Sequence, residues 1–291
     1  MTCMHPATRA FMAATCLAIL PTFALAEDTL TPLDPPAERP YPYEILGMQP
    51  GDSLDDVMAV FADRSDAEPT GESEVISVQS PDGRSFEFTY ELSRQIGGLS
   101  LNERMAEVTF PENIVASLMS DVMEQRPVSL TRSMRQPTAG LPTAQALQAQ
   151  MEDTYGPPSR VETSSGSVTL TYAWSDEGFI SHLDDQTPRE ITYTTRNGRE
   201  ITDSYLPCQP NRGNAYDTTT EYVFAYPRTR ALFPGCTAMF RVSHSTKPGT
   251  VSISFTLDDF DLARQHRAEL DRQIVETLTG ERDVEPSKLD L

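Results

Sequence analysis

Three stretches of the chain place apolar residues at the spacing of an amphipathic helix. Each follows residues that cap helix N-termini well, namely Ser53, Thr143 and the pair Asp258-Asp259. The apolar positions are Leu54, Val57, Met58 and Phe61 in the first stretch, Ala144, Leu147, Met151 and Tyr155 in the second, and Leu262, Leu270, Ile274 and Leu278 in the third. We expect the third helix to be the longest and to run to about Thr279.

Alternation of apolar and polar residues predicts antiparallel strands after each of the first two helices. The expected strands are 75–78, 86–90, 105–110 and 128–135 after the first helix, and 168–174, 191–205, 222–226, 237–243 and 251–257 after the second. Asn197-Gly198 predicts a tight hairpin turn inside 191–205, and Lys247-Pro248-Gly249 joins the last two strands. Apolar residues over 114–123 follow a helical pattern and predict a further short helix.

The order of elements, a helix followed by several strands, occurs twice. It predicts an α+β fold made of two helix-on-antiparallel-sheet units in tandem, with a long C-terminal helix. We place the first unit at 44–136 and the second at 137–279. The second unit contains Cys208 and Cys236. A Pro-rich linker, 27–43, precedes the two units and a flexible tail, 280–291, follows.

Residues 1–26 are typical of a cleavable secretory signal peptide. Arg9 supplies positive charge, 10–20 is an apolar run, and Ala24-Leu25-Ala26 fits the small-residue rule for cleavage. The alternatives are a membrane anchor, for which the run is short, and a lipid-modified Cys16, which lacks a leucine three residues earlier. We therefore expect a periplasmic or secreted protein that is not inserted in a membrane after cleavage.

The chain is strongly acidic, with 43 Asp and Glu against 23 Lys and Arg and a net charge of −20. Such a charge repels phosphate backbones and anionic lipid headgroups. Nucleic acid is therefore excluded as an expected partner.

Cys208 and Cys236 are the cysteines that remain after signal cleavage. An even pair in an oxidising compartment predicts a disulfide. The alternative is a metal-binding or redox pair, but the spacing is not C-x-x-C and no His or Cys partners lie at ligand spacing.

No motif for nucleophilic, metal or phosphate chemistry is present, and we expect no cofactor and no metal. His182, His244 and His266 lack metal-ligand spacing, and His266, beside Arg264 and Arg267, is expected on the polar side of the last helix.

The densest carboxylate cluster is Asp258, Asp259 and Asp261. One interpretation is a calcium site, although the spacing lacks the Gly and the distal Glu of an EF-hand loop. The other, which we favour, is that these carboxylates cap the last helix.

Aromatic and arginine side chains are concentrated between the two cysteines. The possible recognition surface comprises Tyr216, Tyr222, Tyr226, Arg228 and Arg230. Tyr and Arg favour interfaces when they are exposed. The simpler interpretation is a strand packed on the sheet, with the disulfide fastening its loop.

The run Ile45-Leu46-Gly47-Met48, with 51–57 (GDSLDDV), resembles the opening of the modules in SmpA/OmlA-type outer-membrane assembly lipoproteins and in β-lactamase inhibitor protein. The second helix end, Tyr155-Gly156-Pro157-Pro158-Ser159, is similar to the helix end of such modules. The chain departs from them in two ways: the first helix lacks a Gly-Pro stop, and no lipid-bearing Cys begins the mature chain. The resemblance implies a helix packed across an antiparallel sheet and a protein-binding role without catalysis.

These observations lead to three hypotheses. The first is an exported, non-catalytic binding module for another cell-envelope protein. The second is a periplasmic hydrolase or another enzyme without a recognisable motif, which should have a deep pocket lined by titratable groups. The third is a purely structural envelope component. A binding module should instead present a shallow aromatic face.

Overall fold

The computed structural model describes residues 30–33, 39–66, 68–80, 83–97, 112–137, 140–194, 199–208 and 235–280. The fold is α+β, as predicted, with a large antiparallel sheet. The helices are α1 (Leu54–Arg64), α2 (Ala144–Tyr155) and α3 (Phe260–Thr279). The strands are β1 (Thr70–Gln79), β2 (Ser85–Ile96), β3 (Glu112–Leu118), β4 (Pro127–Pro137), β5 (Arg160–Ser164), β6 (Ser167–Ser175), β7 (Gly178–Ile180), β8 (Arg189–Thr194), β9 (Glu200–Tyr205), β10 (Cys236–Lys247) and β11 (Thr250–Asp259).

Nine of these strands form one sheet in the order β1-β2-β3-β4-β11-β10-β6-β5, with β7 beside β6. Every neighbouring pair is antiparallel, and β8 and β9 form a separate hairpin. The last strand before α2, β4, therefore lies against the last strand of the sheet, β11, at its centre.

The helices cover the two faces of the sheet unequally. Phe61 of α1 and Leu147 of α2 lie in one core cluster with Phe240 of β10 and Ile253 of β11. On the other face, α3 contacts β10, β4 and β2 and packs in a second cluster that includes Phe88. Each face of the sheet contributes side chains to a core cluster, because successive side chains of a strand point in opposite directions.

A register shift in the β1–β2 pair moves the apolar side chains of β2 from one face to the other. Glu72 pairs with Ser93 but Ser73 pairs with Glu91, so Leu92 is an extra residue in β2. Before it, Phe88 and Tyr90 face α3, and after it, Ile96 joins the core beneath α1 and α2.

All three helix N-termini have the predicted caps. The Ser53 hydroxyl accepts the N–H of Asp56 at 3.1 Å, and the Thr143 hydroxyl accepts that of Ala146 at 3.2 Å. The Asp259 carboxylate accepts the N–H of Leu262 at 2.8 Å. These bonds satisfy N–H groups that have no partner within their own helices.

The helix predicted over 114–123 is wrong, because the structure has strand β3 there followed by a 3-10 turn, Asp121–Met123. Ile114, Ala116 and Leu118 are fully buried and alternate along β3. The apolar residues of this segment fit the period of a helix as well as the two-residue period of a strand. The strand forms because the segment pairs with β2 and β4.

Several predicted elements lie wholly or partly outside the described residues. The strands at 105–110 and 222–226 and the turn Asn197-Gly198 are among them, as are the signal peptide and 281–291. The strands flanking that turn do pair, with Thr194 opposite Glu200, and Lys247 pairs with Thr250 across the second predicted turn.

Part of the segment 27–43 belongs to the folded body. Leu30, Tyr41 and Tyr43 are buried, and the Tyr43 ring stacks on Phe240 with 5.4 Å between ring centroids. Tyr41 and Tyr43 therefore complete the core on the side of α1 and α2.

The predicted disulfide between Cys208 and Cys236 is present, with Cα atoms 5.0 Å apart. The bond closes a loop over a sequence separation of 28 residues. We expect the double variant Cys208→Ser/Cys236→Ser to lose about 3.5 kcal/mol of unfolding free energy, because the open loop gains conformational entropy in the unfolded chain. Urea denaturation with and without reductant measures this loss. Reductant should destabilise the wild type and leave the double variant unchanged, whereas equal stability of both proteins would contradict the prediction.

Candidate binding face

The face of the sheet opposite α1 and α2 is covered by α3 at one end. At that end the four central strands contribute Ser129, Asp258, Met239 and Ala173, which are all at most 3% exposed. Met239 and Ala173 pack with the disulfide and with Phe260, the first residue of α3. The remainder of this face has no described helix over it, since α1 and α2 pack on the opposite side.

The part of these four strands that no described helix covers is a regular grid that we call the hydroxyl face. The strand register aligns three rows of four side chains, one each from β4, β11, β10 and β6. Its members are Thr131, Thr256, Arg241 and Thr171 in the first row, Ser133, Ser254, Ser243 and Thr169 in the second, and Arg135, Ser252, Ser245 and Ser167 in the third. The grid thus holds ten hydroxyl groups and two guanidinium groups, with no carboxylate and no aromatic ring.

Hydrogen bonds link hydroxyl groups of neighbouring strands in the middle row. The Ser133 and Ser254 oxygens are 3.0 Å apart, and those of Thr169 and Ser243 are 3.3 Å apart. Except for fully buried Thr171, the grid side chains are partly exposed. A hydroxyl group donates one hydrogen bond and accepts up to two, so these groups retain capacity for an external partner.

The two arginines differ in their surroundings. Arg241 lies 3.3 Å from the buried carboxylate of Asp258, which also accepts the Ser129 hydroxyl at 2.7 Å. Arg135 makes no ion pair within the described part of the chain. The hydroxyl face is therefore neutral to weakly basic on a protein whose net charge is −20.

The carboxylates of Asp258, Asp259 and Asp261 do not converge. Asp258 points toward Ser129 and Arg241, Asp259 points to the other face of β11, and Asp261 pairs with Arg264. Within the described ranges no group of three His, Cys, Asp or Glu could hold a metal ion. The structure confirms helix capping for Asp259.

Asp259 joins the segment before α1 to the start of α3. Its Oδ2 accepts the Tyr41 hydroxyl at 2.7 Å and lies 3.8 Å from Nε of Arg39. Burial raises the pKa of Asp259, and burial together with the Asp259 charge raises the pKa of Tyr41. A buried carboxylate is costly without such donors.

We expect Tyr41→Phe to lower the unfolding free energy by about 1.5–3 kcal/mol, since it removes a buried hydrogen bond to a carboxylate. Urea denaturation at pH 7 measures the loss. Tyr172→Phe is the matched control, because the buried Tyr172 hydroxyl has no hydrogen-bond partner within the described structure. Equal losses in the two variants would show that the Tyr41 hydroxyl contributes nothing beyond its packing.

A serine–histidine pair occurs beneath α3. The Ser120 Oγ lies 2.7 Å from Nε2 of His266, which also accepts the Ser120 backbone N–H at 3.0 Å. Each residue is 1% exposed, so no substrate reaches the pair and it does not support a hydrolase. The prediction that His266 lies on the polar side of the helix is wrong, because α3 buries His266 itself together with the neighbouring Arg267.

A cavity of about 300 Å³ lies between the start of α2, the β5–β6 turn and the β10–β11 hairpin. His244 is its titratable lining residue, and Nε2 of His244 lies 3.1 Å from the carbonyl oxygen of Pro142. The remaining lining is apolar or carries hydroxyls, so His244 has no carboxylate or second histidine beside it in this cavity.

The possible recognition surface predicted from the sequence, Tyr216, Tyr222, Tyr226, Arg228 and Arg230, lies outside the described residues. At the base of that loop, the Gln186 side chain bonds the N–H and the carbonyl of Cys208 at 2.8 and 2.6 Å. Sequence reasoning missed the hydroxyl face, although Ser and Thr at alternate positions of four strands were visible. Their adjacency depends on the strand order.

The chain matches no protein family, no curated protein and no solved structure in comparisons with known proteins. Among the described helices, none is long and apolar enough to cross a membrane.

Proposed function

We propose that this protein is an exported, non-catalytic binding module that docks another cell-envelope protein on its hydroxyl face. The observation that carries the proposal is the three-by-four grid of ten hydroxyl and two guanidinium side chains on a part of the sheet that no described helix covers. Antiparallel sheets often leave one face to water, but such faces usually carry more long charged side chains than the two arginines of this grid. Short hydroxyls allow a partner to approach the sheet closely.

The shape of the face favours a protein over a small molecule. Small-molecule sites are concave and mostly apolar, with a few converging polar groups. The hydroxyl face is instead spread over four strands and is continued by Asn113 of β3 and Glu162 of β5. Since it lacks aromatic rings, it differs from the aromatic face expected from the sequence.

The strand order supports the proposed tandem of two helix-and-sheet units. The first unit would consist of α1 followed by β1-β2-β3-β4, and the second of α2 followed by β5, β6, β10 and β11. Read across the sheet, the second set runs in reverse order, so the two final strands meet at the centre. A protein-binding role for such tandem modules is what the resemblance to β-lactamase inhibitor protein implies.

Export is supported by the N-terminal sequence and by the disulfide, which is stable in oxidising compartments. The periplasm or the extracellular space would then supply the partner.

Site-specific photocrosslinking in intact cells tests the function. A photoreactive amino acid replaces Ser254 at the centre of the hydroxyl face, and Gln145, exposed on α2 on the opposite side, is the matched control. We expect one discrete crosslinked protein from position 254 that disappears when Ser243→Tyr obstructs the face. Absence of a product at position 254, or the same product from both positions, would overturn the proposal.

A further inference from the structure

The two edges of the nine-stranded sheet are built differently. One edge is formed by β5, of five residues, and β7, of three residues, which come from separate segments beside β6. The other is β1, a continuous strand of ten residues. In the described structure, β1 pairs with β2 on one side and with no strand on the other. A long edge of this kind presents a row of free backbone N–H and C=O groups.

The side chains of β1 are unusually open. Positions 70–75 are all exposed, and Val75 is 61% exposed, the largest value among the big apolar side chains described. Along the strand, Glu72 and Glu74 project on the side of the buried Ile76, and Val75 projects on the other. Neither glutamate makes a salt bridge within the described residues.

We infer that β1 is a site for strand addition by an extended basic segment of a partner protein. An added strand completes the backbone hydrogen bonds of β1, and its side chains alternate like those of β1. Opposite Glu72 and Glu74 it needs Lys or Arg, and opposite Val75 it needs an apolar residue. The net charge of −20 attracts a basic segment from a distance, so the global and local charges agree.

The same charges argue against a second copy of this chain as the occupant. Antiparallel self-pairing centred on Ser73 would place Glu72 of each copy opposite Glu74 of the other, and like charges directly opposite are destabilising. The glutamates therefore exclude acidic strands and admit basic ones, which is how charged edges give selectivity.

The test uses the purified mature chain and two peptides, one alternating Lys and Val and one alternating Glu and Val. We expect the Lys peptide to slow hydrogen exchange at alternate amides of β1, as measured by NMR, because a bound strand covers every second backbone group. Two favourable cross-strand charge pairs correspond to roughly two- to thirty-fold tighter binding than for a neutral peptide, and the Glu peptide should bind more weakly still because its charges repel those of β1.

Glu72→Lys/Glu74→Lys should reverse the preference between the peptides. The matched control, Glu190→Lys/Glu200→Lys, changes the net charge equally on the exposed β8–β9 hairpin and should keep the wild-type preference. Three results would overturn the inference: no protection of β1 by the Lys peptide, an unchanged preference in the β1 variant, or a wild-type dimer that Val75→Lys abolishes. None of these results bears on crosslinking at Ser254, so the proposed function stands or falls separately.

Discussion

Phe61→Ala is expected to lower the unfolding free energy by about 3–5 kcal/mol, the usual range for deleting a buried phenyl ring. Phe61 is fully buried on the apolar side of α1, in a cluster with Val57 and with side chains from the central strands. The helix is short, so its stability comes from this packing more than from its propensity. Chemical denaturation monitored by far-UV circular dichroism measures the change.

Phe179→Ala is the matched control, because the same atoms are removed from a side chain that is 38% exposed. The loss there should be clearly smaller, since less apolar surface returns to water and no closed cavity forms. Similar losses at both positions, or a near-neutral Phe61→Ala, would mean that α1 does not depend on the sheet beneath it.

The helices were predictable because capping and periodicity agree in them. Ser53 and Thr143 mark their starts, and Gly156 ends α2 with a positive φ of 79°, a conformation that glycine adopts without strain. A cap, the apolar spacing and a terminating glycine each depend on residues close together in the chain, so the sequence alone predicts the helices.

The errors arose where tertiary contacts decide between two local patterns. The apolar pattern of residues 114–118 fits both a helix and a strand, and their pairing with β2 and β4 could not be predicted from the sequence. His266 was assigned to a polar face because Arg264 and Arg267 flank it. The buried side of α3 is wider than its leucine stripe, because the helix lies across several strands.

The hydroxyl face could not be predicted from the sequence for a related reason. Ser and Thr alternate visibly in β4, β6, β10 and β11, but a single strand of this kind indicates no more than a solvated face. The grid exists because β11 lies between β4 and β10, which are far apart in sequence. Strand order is set by the whole chain.

Acid should destabilise the protein through His266 before the ordinary carboxylates titrate. Burial, reinforced by the charge of Arg267, lowers the pKa of His266 from 6.5 to about 3. The lone pair of its Nε2 already accepts the backbone N–H of Ser120, so protonation of that nitrogen would break this hydrogen bond. The unfolded chain therefore binds a proton between pH 6.5 and about 3 that the folded chain does not.

The sign and size of the effect follow from this difference. The stabilisation is fully present above pH 6.5 and is lost as the pH falls toward 3, at up to about 1.4 kcal/mol per pH unit, or roughly 5 kcal/mol in all. Asp259 acts in the opposite direction, because its raised pKa makes the folded chain bind a proton more readily. Its contribution is common to the wild type and to a His266 variant, so it cancels when the two are compared.

His266→Gln tests the prediction, since the glutamine oxygen accepts the Ser120 N–H without titrating. Denaturation free energies are measured from pH 6.5 down to 4.5, above the range in which a carboxylate paired with arginine, such as Glu269 with its pKa of about 2, is protonated. The wild type should lose about 2 kcal/mol more than His266→Gln over this interval. His182→Gln, which replaces an exposed histidine, should follow the wild-type curve. If the curves of the wild type and His266→Gln stay parallel, the buried histidine is not what makes the fold sensitive to acid.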